Sequence, residues 1–98
     1  MNKDINYLRL PVYMQDSVQW YIEAGQPFGH FLTAVFSNDL SGAFSHADDA
    51  NREALYEYVK FLYNEPIPGG CKGSKENVKA WINSGGLKGQ RNEQNVRI

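Results

Sequence analysis

The sequence predicts an all-α protein: a single compact domain of about four helices with an extended N-terminal arm and a flexible C-terminal tail. Apolar residues recur at the spacing of about 3.6 residues that is typical of amphipathic helices. Residues suited to capping stand before three of these segments, and no segment shows the alternation of a strand. A chain of 98 residues is the size of one domain, which we assign to residues 1–84, with the tail at 85–98.

The first helix is expected to follow an extended arm. Residues 1–15 contain apolar side chains around Pro11 without a sustained period, which predicts an extended segment, with room for one short turn, packed on the body. Asp16 is suited to the N-cap, and Gln19 stands where a capping box places its second polar residue. Gly25, with Pro27 just beyond it, predicts the end of this helix.

The next two helices are predicted from longer apolar stripes. Apolar residues from Phe28 to Ala47 fall on one arc, which predicts a single helix of about five turns. A third helix should begin near Asp48 or Asp49, since either can cap it, and end before Pro66. The residues predicted to form its buried stripe are Leu55, Tyr58, Val59 and Leu62.

The last predicted helix is short and covers the segment KENVKAWI. Ser74 precedes it as a cap, and Val78, Trp81 and Ile82 should face inward. The remaining segment, SGGLKGQRNEQNVRI, is rich in glycine and then polar. Such a composition predicts a segment that is mobile or becomes ordered only against a partner.

Composition and charge narrow the classes of partner. Ten basic and eleven acidic residues give a net charge of -1, so no overall field attracts the protein to nucleic acid or to a membrane surface. Cys71 is the single cysteine, which excludes an intramolecular disulfide and suits a reducing compartment. No apolar run resembles the core of a signal peptide or a membrane span. We therefore expect a cytoplasmic protein without a membrane partner.

The stretch PGGCKGSK, residues 68–75, is the motif that most resembles a reactive or phosphate-binding loop. A P-loop requires Gly-Lys followed by Ser or Thr after a strand, whereas the order here is Gly-Ser-Lys and no strand precedes it. A nucleophilic Cys71 would need a base, and neither histidine is close in sequence. Two interpretations remain: a tight turn in which Ser74 only caps a helix, or an anion- or partner-binding edge formed by Lys72, Ser74 and Lys75.

Two polar residues fall on predicted apolar stripes. Asp39 lies between Val35 and Ala43 on one stripe, and Asn51 lies on the stripe of the next helix. A buried carboxylate or amide is unfavourable unless it is hydrogen-bonded. Each side chain could therefore bond the backbone amides of a neighbouring loop, the Gln26–Gly29 turn or the Pro66–Gly73 loop. Alternatively, Asp39 and Asn51 could form the wall of a polar pocket together with Arg52.

Aromatic residues are more abundant than one small core can easily hide, at 13% of the chain. Phe31 and Phe61 project off the predicted buried stripes of their helices, which predicts exposed aromatic surface. Such surface is typical of a partner interface or of an interface between copies of the chain. Stacking on nucleobases is the less favoured alternative, because the chain has no basic excess.

No set of residues predicts a metal, a cofactor or a catalytic centre. His30 and His46 are the two histidines, and their separation of sixteen residues matches no metal-binding motif. No nucleophile and base stand at a spacing that indicates an active site. We therefore expect a protein that is not an enzyme and needs no metal or cofactor.

Several stretches give the chain a family resemblance. The segments LPVYM, YIEAGQPFGHFLTAVFSNDL, ADDAN, YNEPIPGGCKGS and VKAWI follow a pattern of LPxYM, YIExGxPPGxFLxAVxxNDL, ADxxN, YNExPxxCWGS and VxxWI. In this pattern the chain resembles a family of small phage and prophage proteins, from Leu10 to Ile82. Lys72 stands where the pattern has Trp, and Phe28 stands where it has a second Pro. The resemblance implies a biological setting and no mechanism, and the cation at Lys72 favours a loop that faces an anion or a partner.

Three function classes follow from these observations. The first is a non-enzymatic binding protein of phage type that acts stoichiometrically on a host factor, as an inhibitor of host defence or an agent of host takeover. It would do so by docking on a host protein or by capturing a small anionic signalling ligand. The second is an accessory protein in phage replication, transcription or nucleic-acid handling. The third, an enzyme, is disfavoured by the missing catalytic groups.

Overall fold

A computed structural model describes residues 5–89 of the chain. Within this range it contains α-helices and short 3₁₀ turns and no strand, which confirms the all-α class. The predicted number of four helices is wrong, because two of the predicted helices are each divided in two. The α-helices are α1 (Val12–Ala24), α2 (His30–Phe36), α3 (Leu40–His46), α4 (Asp49–Glu53), α5 (Leu55–Asn64) and α6 (Lys75–Ser84), and 3₁₀ turns cover Tyr7–Arg9 and Gly69–Cys71.

Helix α1 begins earlier than its polar residues predict. Pro11 stands at the N-cap with a φ of -53°, and its carbonyl accepts a bond from the Met14 amide. Proline suits this place because its fixed φ fits the helix entrance and its missing amide hydrogen would have no partner there. Asp16 therefore lies exposed inside α1, and its predicted role as N-cap is wrong. The predicted end at Gly25 is confirmed, since this residue adopts the left-handed conformation with a φ of 71°.

The predicted five-turn helix is interrupted at residues 37–39. Asn38 has a φ of 63°, and the Asp39 side chain then caps α3 by accepting a bond of 3.0 Å from the Gly42 amide. Asn and Asp side chains compete with helical backbone bonds and tolerate such turns, so the three polar residues end one helix and start another. Phe28 precedes α2, whose N-cap is Gly29. Helices α2 and α3 consequently pack on each other as a helical hairpin.

The predicted third helix begins as expected, with Asp48 accepting a bond of 2.8 Å from the Asn51 amide. It is then divided at Ala54 into α4 and α5. The buried face of α5 is rotated from the predicted stripe, since Phe61 is buried and Val59 is 45% exposed. The cause is that α5 packs against both α2 and the Tyr7–Arg9 turn, and the Phe61 ring meets the Tyr7 ring at 5.7 Å.

Phe31 and Phe61 are core residues, so the prediction that they form exposed aromatic surface is wrong. Their exposed fractions are 6% and 1%, and the Phe31 ring packs edge-on against Tyr58 at 5.1 Å. A core of helices that cross at several angles buries more than one stripe of each helix, which a single helical projection does not show. The aromatic residues with large exposed fractions are Tyr13, Trp20, Phe44, Tyr56 and Tyr63.

A set of side-chain bonds to backbone carbonyls joins α1, α6 and the loop before α6. The Trp81 indole donates to the carbonyls of Tyr21 at 3.0 Å and Ile22 at 3.1 Å, at the end of α1. The Tyr21 hydroxyl donates to the Cys71 carbonyl at 2.7 Å. All four of these residues are buried, with exposed fractions of 4% or less. The Gly25 amide also donates to the Tyr21 carbonyl, at 2.9 Å, so the Ile22 carbonyl is the group that would be buried unpaired without the indole.

The segment after α6 also packs on α1. Gly85 ends α6 with a φ of 81°, residues 86–89 form a further helical turn, and Leu87 contacts the core. The approach is so close that a Cβ on Gly25 would lie 2.8 Å from the Gly86 backbone nitrogen. Residues 85–89, which the sequence assigns to a polar tail, are thus packed on the domain. The rest of the predicted tail, residues 90–98, and residues 1–4 of the predicted arm lie outside the described residues.

The described part of the arm is attached to the body by Glu65. Its side chain is 10% exposed and accepts bonds of 2.7 Å from the Asn6 amide and from Arg9 Nε. Ile5 and Leu10 are buried on either side, which confirms that the arm packs on the domain. Across residues 5–89, none of the helices combines the length and the apolar character needed to cross a membrane.

Replacement of Trp81 by Phe should be strongly destabilising. The variant keeps an aromatic ring in the core but leaves the Ile22 carbonyl without a donor, at an expected cost of about 1–3 kcal/mol. Trp20→Phe is the matched control, because Trp20 lies on α1 with a side chain that is 59% exposed. Denaturant unfolding measures the free energy of unfolding of the two variants. Equal stability of Trp81→Phe and Trp20→Phe would contradict the role assigned to the indole.

The attachment of the arm should be sensitive to acid. The bond from the Asn6 amide, and then the bond from Arg9, hold the pKa of Glu65 below its ordinary value of 4.5. A lowered pKa in the folded state gives stability that is present above pH 4.5 and is lost as the pH falls through the folded-state pKa. We expect the stability of Glu65→Gln to fall less steeply with pH below 4.5 than that of the wild type. Glu53→Gln, at an exposed position, is the control and should retain the wild-type slope.

Candidate functional site

The three residues of the predicted polar pocket have separate roles in the structure. Asp39 is the N-cap of α3 and not a partner of the two loops that the sequence suggested. Arg52 Nε donates to the Phe44 carbonyl at 3.1 Å, and its guanidinium lies 4.9 Å from the centre of the Phe44 ring. No hydrogen bond or ion pair among residues 5–89 joins Asp39, Asn51 and Arg52 to one another. The predicted pocket is therefore not formed.

Asn51 belongs to a buried polar cluster between α1 and α5. It is 3% exposed, and its Oδ1 accepts bonds from the Tyr58 hydroxyl at 2.9 Å and the Tyr13 hydroxyl at 3.2 Å. Burial, and then the neighbouring Tyr13 and Asp48, raise the pKa of Tyr58. The phenol thus stays protonated and donates at neutral pH, so the cluster is a satisfied structural contact.

The PGGCKGSK loop is folded inward. Cys71 is fully buried, and burial raises the pKa of its thiol to about 12, which leaves almost no thiolate at neutral pH. Lys72 Nζ donates to the Leu62 carbonyl at 2.6 Å and lies 4.1 Å from the centre of the Tyr63 ring. Lys72 therefore caps the end of α5, and the expectation that it forms an outward binding edge with Lys75 is wrong.

The start of α6 agrees more closely with the prediction made from the sequence. Ser74 is the N-cap and accepts a bond of 3.0 Å from the Asn77 amide. Lys75, the first residue of α6, is exposed. The loop is held against the helical hairpin by the Gly73 amide, which donates to the Phe36 carbonyl at 2.8 Å. This contact brings Lys75 to the side of α2 and α3.

A polar cleft of about 150 Å³ opens at this junction. The His30 and His46 rings stack with their centres 5.3 Å apart, and Lys75, on α6, also lines the cleft. Ser37 is 7% exposed, and its hydroxyl has no hydrogen-bond partner among the described residues. The full lining is His30, Thr33, Ala34, Ser37, Asp39, His46 and Lys75. Within residues 5–89, no three His, Cys, Asp or Glu side chains are grouped as ligands for a metal ion.

The sequence contains a signal for this cleft that the helical periodicity obscures. The triplet Ser37-Asn38-Asp39 is typical of a helix end followed by a new N-cap. His30 and His46 stand eight residues before and after Asn38, so a hairpin centred there brings them together. A search for metal motifs within one helix cannot find such a pair, because the two residues lie on different helices.

An apolar groove of about 90 Å³ lies on the other side of Asp39, between α3 and α5. Its exposed apolar side chains are Leu40 at 71%, Val59 at 45% and Tyr63 at 63%. Phe44 and Tyr56 extend this surface, because they stand one turn from Leu40 and Val59 on the same helices. The full lining is Val35, Asn38, Asp39, Leu40, Ala43, Leu55, Val59, Leu62 and Tyr63.

Comparison of the chain with protein-family models, with curated proteins and with solved structures finds no match. The resemblance to small phage and prophage proteins therefore stays a prediction.

Lys72 is bonded to a carbonyl of α5 and Lys75 is exposed, and this difference can be tested by measuring the free energy of unfolding of variants. Lys72→Gln removes a charged donor from the last carbonyls of α5 and should cost about 1 kcal/mol. Lys75→Gln, at an exposed position, should change the free energy of unfolding by less than about 0.5 kcal/mol. Urea unfolding of both variants is the measurement. A stable Lys72→Gln variant would mean that the Lys72 side chain is not held at α5.

Proposed function

We propose that this protein is a stoichiometric binding protein. In the groove between α3 and α5 it binds a segment of a partner protein in which apolar residues are flanked by acidic ones. The observation that supports it is a set of exposed apolar side chains on α3 and α5, in and next to this groove, with a cation beside each aromatic ring. In the setting that the family resemblance implies, the partner is a host factor and the outcome of binding is its inhibition.

The apolar character of the surface is the first step. Five large apolar side chains on α3 and α5 are each between 45% and 71% exposed, and three of them line the groove. Exposed apolar area is unfavourable in water and, where it is contiguous, is typical of an interaction surface. The five residues are Leu40, Phe44, Tyr56, Val59 and Tyr63.

The cations beside the aromatic rings of this surface indicate the charge of the partner. Arg52 lies over the Phe44 ring at 4.9 Å, Lys60 over the Tyr56 ring at 5.0 Å, and Lys72 over the Tyr63 ring at 4.1 Å. Each aromatic side chain thus has a cation beside it, although the whole chain has a net charge of -1. A partner with carboxylates flanking its apolar residues would complement this border.

The size and the lining of the groove favour a protein segment over other ligands. At about 90 Å³ the groove suits one or two apolar side chains and is far smaller than the roughly 300–1,000 Å³ of typical small-molecule sites. Proteins that bind single-stranded nucleic acid stack the bases on aromatic side chains along a positively charged groove. Here the groove centre contains aliphatic Leu40, Ala43, Leu55 and Val59, so a nucleic acid is the less favoured ligand.

The proposal predicts the composition of the peptides that bind. Selection of a random peptide library on the purified protein should enrich sequences in which Leu or aromatic residues are flanked by Asp or Glu. Val59→Asp should weaken the binding of these peptides at least about tenfold, because a charge at the centre of an apolar interface costs more than about 1.4 kcal/mol. Isothermal titration calorimetry measures the loss. Val12→Asp, at a position on α1 that is 84% exposed, is the matched control and should bind normally.

Other outcomes would replace this proposal with specific alternatives. Enriched peptides without acidic residues, or equal binding to Val59→Asp, would contradict it. Single-stranded oligonucleotides that bind the wild type and not Val59→Asp would favour the accessory role in nucleic-acid handling. A wild-type dimer that Val59→Asp converts to a monomer in analytical ultracentrifugation would mean that a second copy of the chain occupies the groove.

A further inference from the structure

We infer that the polar cleft between α2, α3 and α6 binds a small oxyanion of the sulfate and phosphate class, and that it does so more tightly as the pH falls. The cleft is separate from the apolar groove, and the two share only Asp39 at their boundary. The inference is therefore independent of the proposed docking function.

The buried Ser37 hydroxyl is the first observation that points to a ligand. Ser37 is 93% removed from solvent, since its exposed fraction is 7%, and it lines the cleft. Its Oγ has no partner among the described residues. Most buried hydroxyls in proteins are hydrogen-bonded, so an unpaired one beside a cleft indicates that a ligand or an ordered water completes it. An oxyanion supplies the acceptor that a hydroxyl needs.

The positive groups around the cleft are the second observation. Lys75 adds a cation from the first turn of α6, a helix of ten residues whose first amides have no partner within the helix. His30 at the start of α2 and His46 at the end of α3 face each other at 5.3 Å. These groups come from three helices and converge on one cavity. Anion binding therefore does not depend on a single helix end.

The acidic groups explain why binding should depend on pH. Asp39 also lines the cleft, and although the Gly42 amide bonds its Oδ1, its negative charge opposes an anion. Glu76 follows Lys75 in the first turn of α6 and is exposed. Only protonation of the histidines, which as a class change charge between about pH 5 and 8, makes the cleft clearly cationic. Two imidazolium groups this close repel each other, and an anion bound beside both rings offsets that repulsion.

The volume limits the ligand to a small ion. A cleft of about 150 Å³ holds a tetrahedral oxyanion with a few waters but is below the roughly 300–1,000 Å³ of sites that enclose nucleotides and similar molecules. Sulfate is the appropriate probe, because its charge of about -2 stays constant over the pH range in which histidines titrate.

Proton NMR of the two histidines provides a direct test. The chain has only two histidines, so the single variants His30→Gln and His46→Gln assign both imidazole Hε1 resonances. Sulfate added at constant ionic strength, with chloride as the balancing ion, should shift both resonances along one binding curve. Its affinity should fall as the pH rises from 5.5 to 7.5, as expected when histidine protonation is linked to binding. By reciprocal linkage, sulfate should move both titration midpoints to higher pH.

Matched variants separate this site from general charge effects. Lys75→Gln should weaken the binding of sulfate at least threefold. Lys79→Gln changes an exposed residue one turn further along α6 and should leave the affinity for sulfate unchanged. Ser37→Ala should fold normally and bind sulfate more weakly, and Val59→Asp should bind it as the wild type does. Equal responses to sulfate and chloride, or equal affinity in Lys75→Gln and Lys79→Gln, would overturn the inference.

Discussion

The Trp81 indole at the end of α1 is the contact on which the arrangement of the protein depends. It bonds the carbonyls of Tyr21 and Ile22, the second of which has no other donor within residues 5–89, and the Tyr21 hydroxyl from the same turn of α1 bonds the carbonyl of Cys71. Two helices distant in sequence and the loop between α5 and α6 are thereby fixed to one another. Because this loop also bonds the end of α2 through Gly73, the position of Lys75 beside the helical hairpin follows from the same contacts.

The polar interruption at residues 37–39 then determines where the polar cleft and the apolar groove lie. An unbroken helix would hold His30 and His46 more than 20 Å apart along its axis, at about 1.5 Å per residue. The turn at Asn38 brings their rings to 5.3 Å and places the polar cleft on one side of Asp39 and the apolar groove on the other. A single capping residue therefore separates a site suited to charge from one suited to apolar side chains. Both surfaces are products of one turn.

Local features were predictable from the sequence, and features that depend on distant partners were not. Asp48, Ser74 and Gly25 act as their neighbours in sequence indicate, because capping and left-handed turns are decided within a few residues. The break after Phe36 was missed because the apolar spacing continues across it with unchanged phase. The direction of Lys72 could not be predicted, since its acceptor is a carbonyl on α5 that is brought close only by the tertiary fold.

The position of Cys71 has a consequence for how the molecule can be observed. This thiol is the single one in the chain and is fully buried, on the loop that Tyr21 holds in place. A reagent that modifies thiols can reach it only when the loop separates from α1. The rate of its alkylation therefore reports how readily this loop opens. Cys71 can thus be used, without any substitution, to measure the opening of the segment that connects α5 to α6.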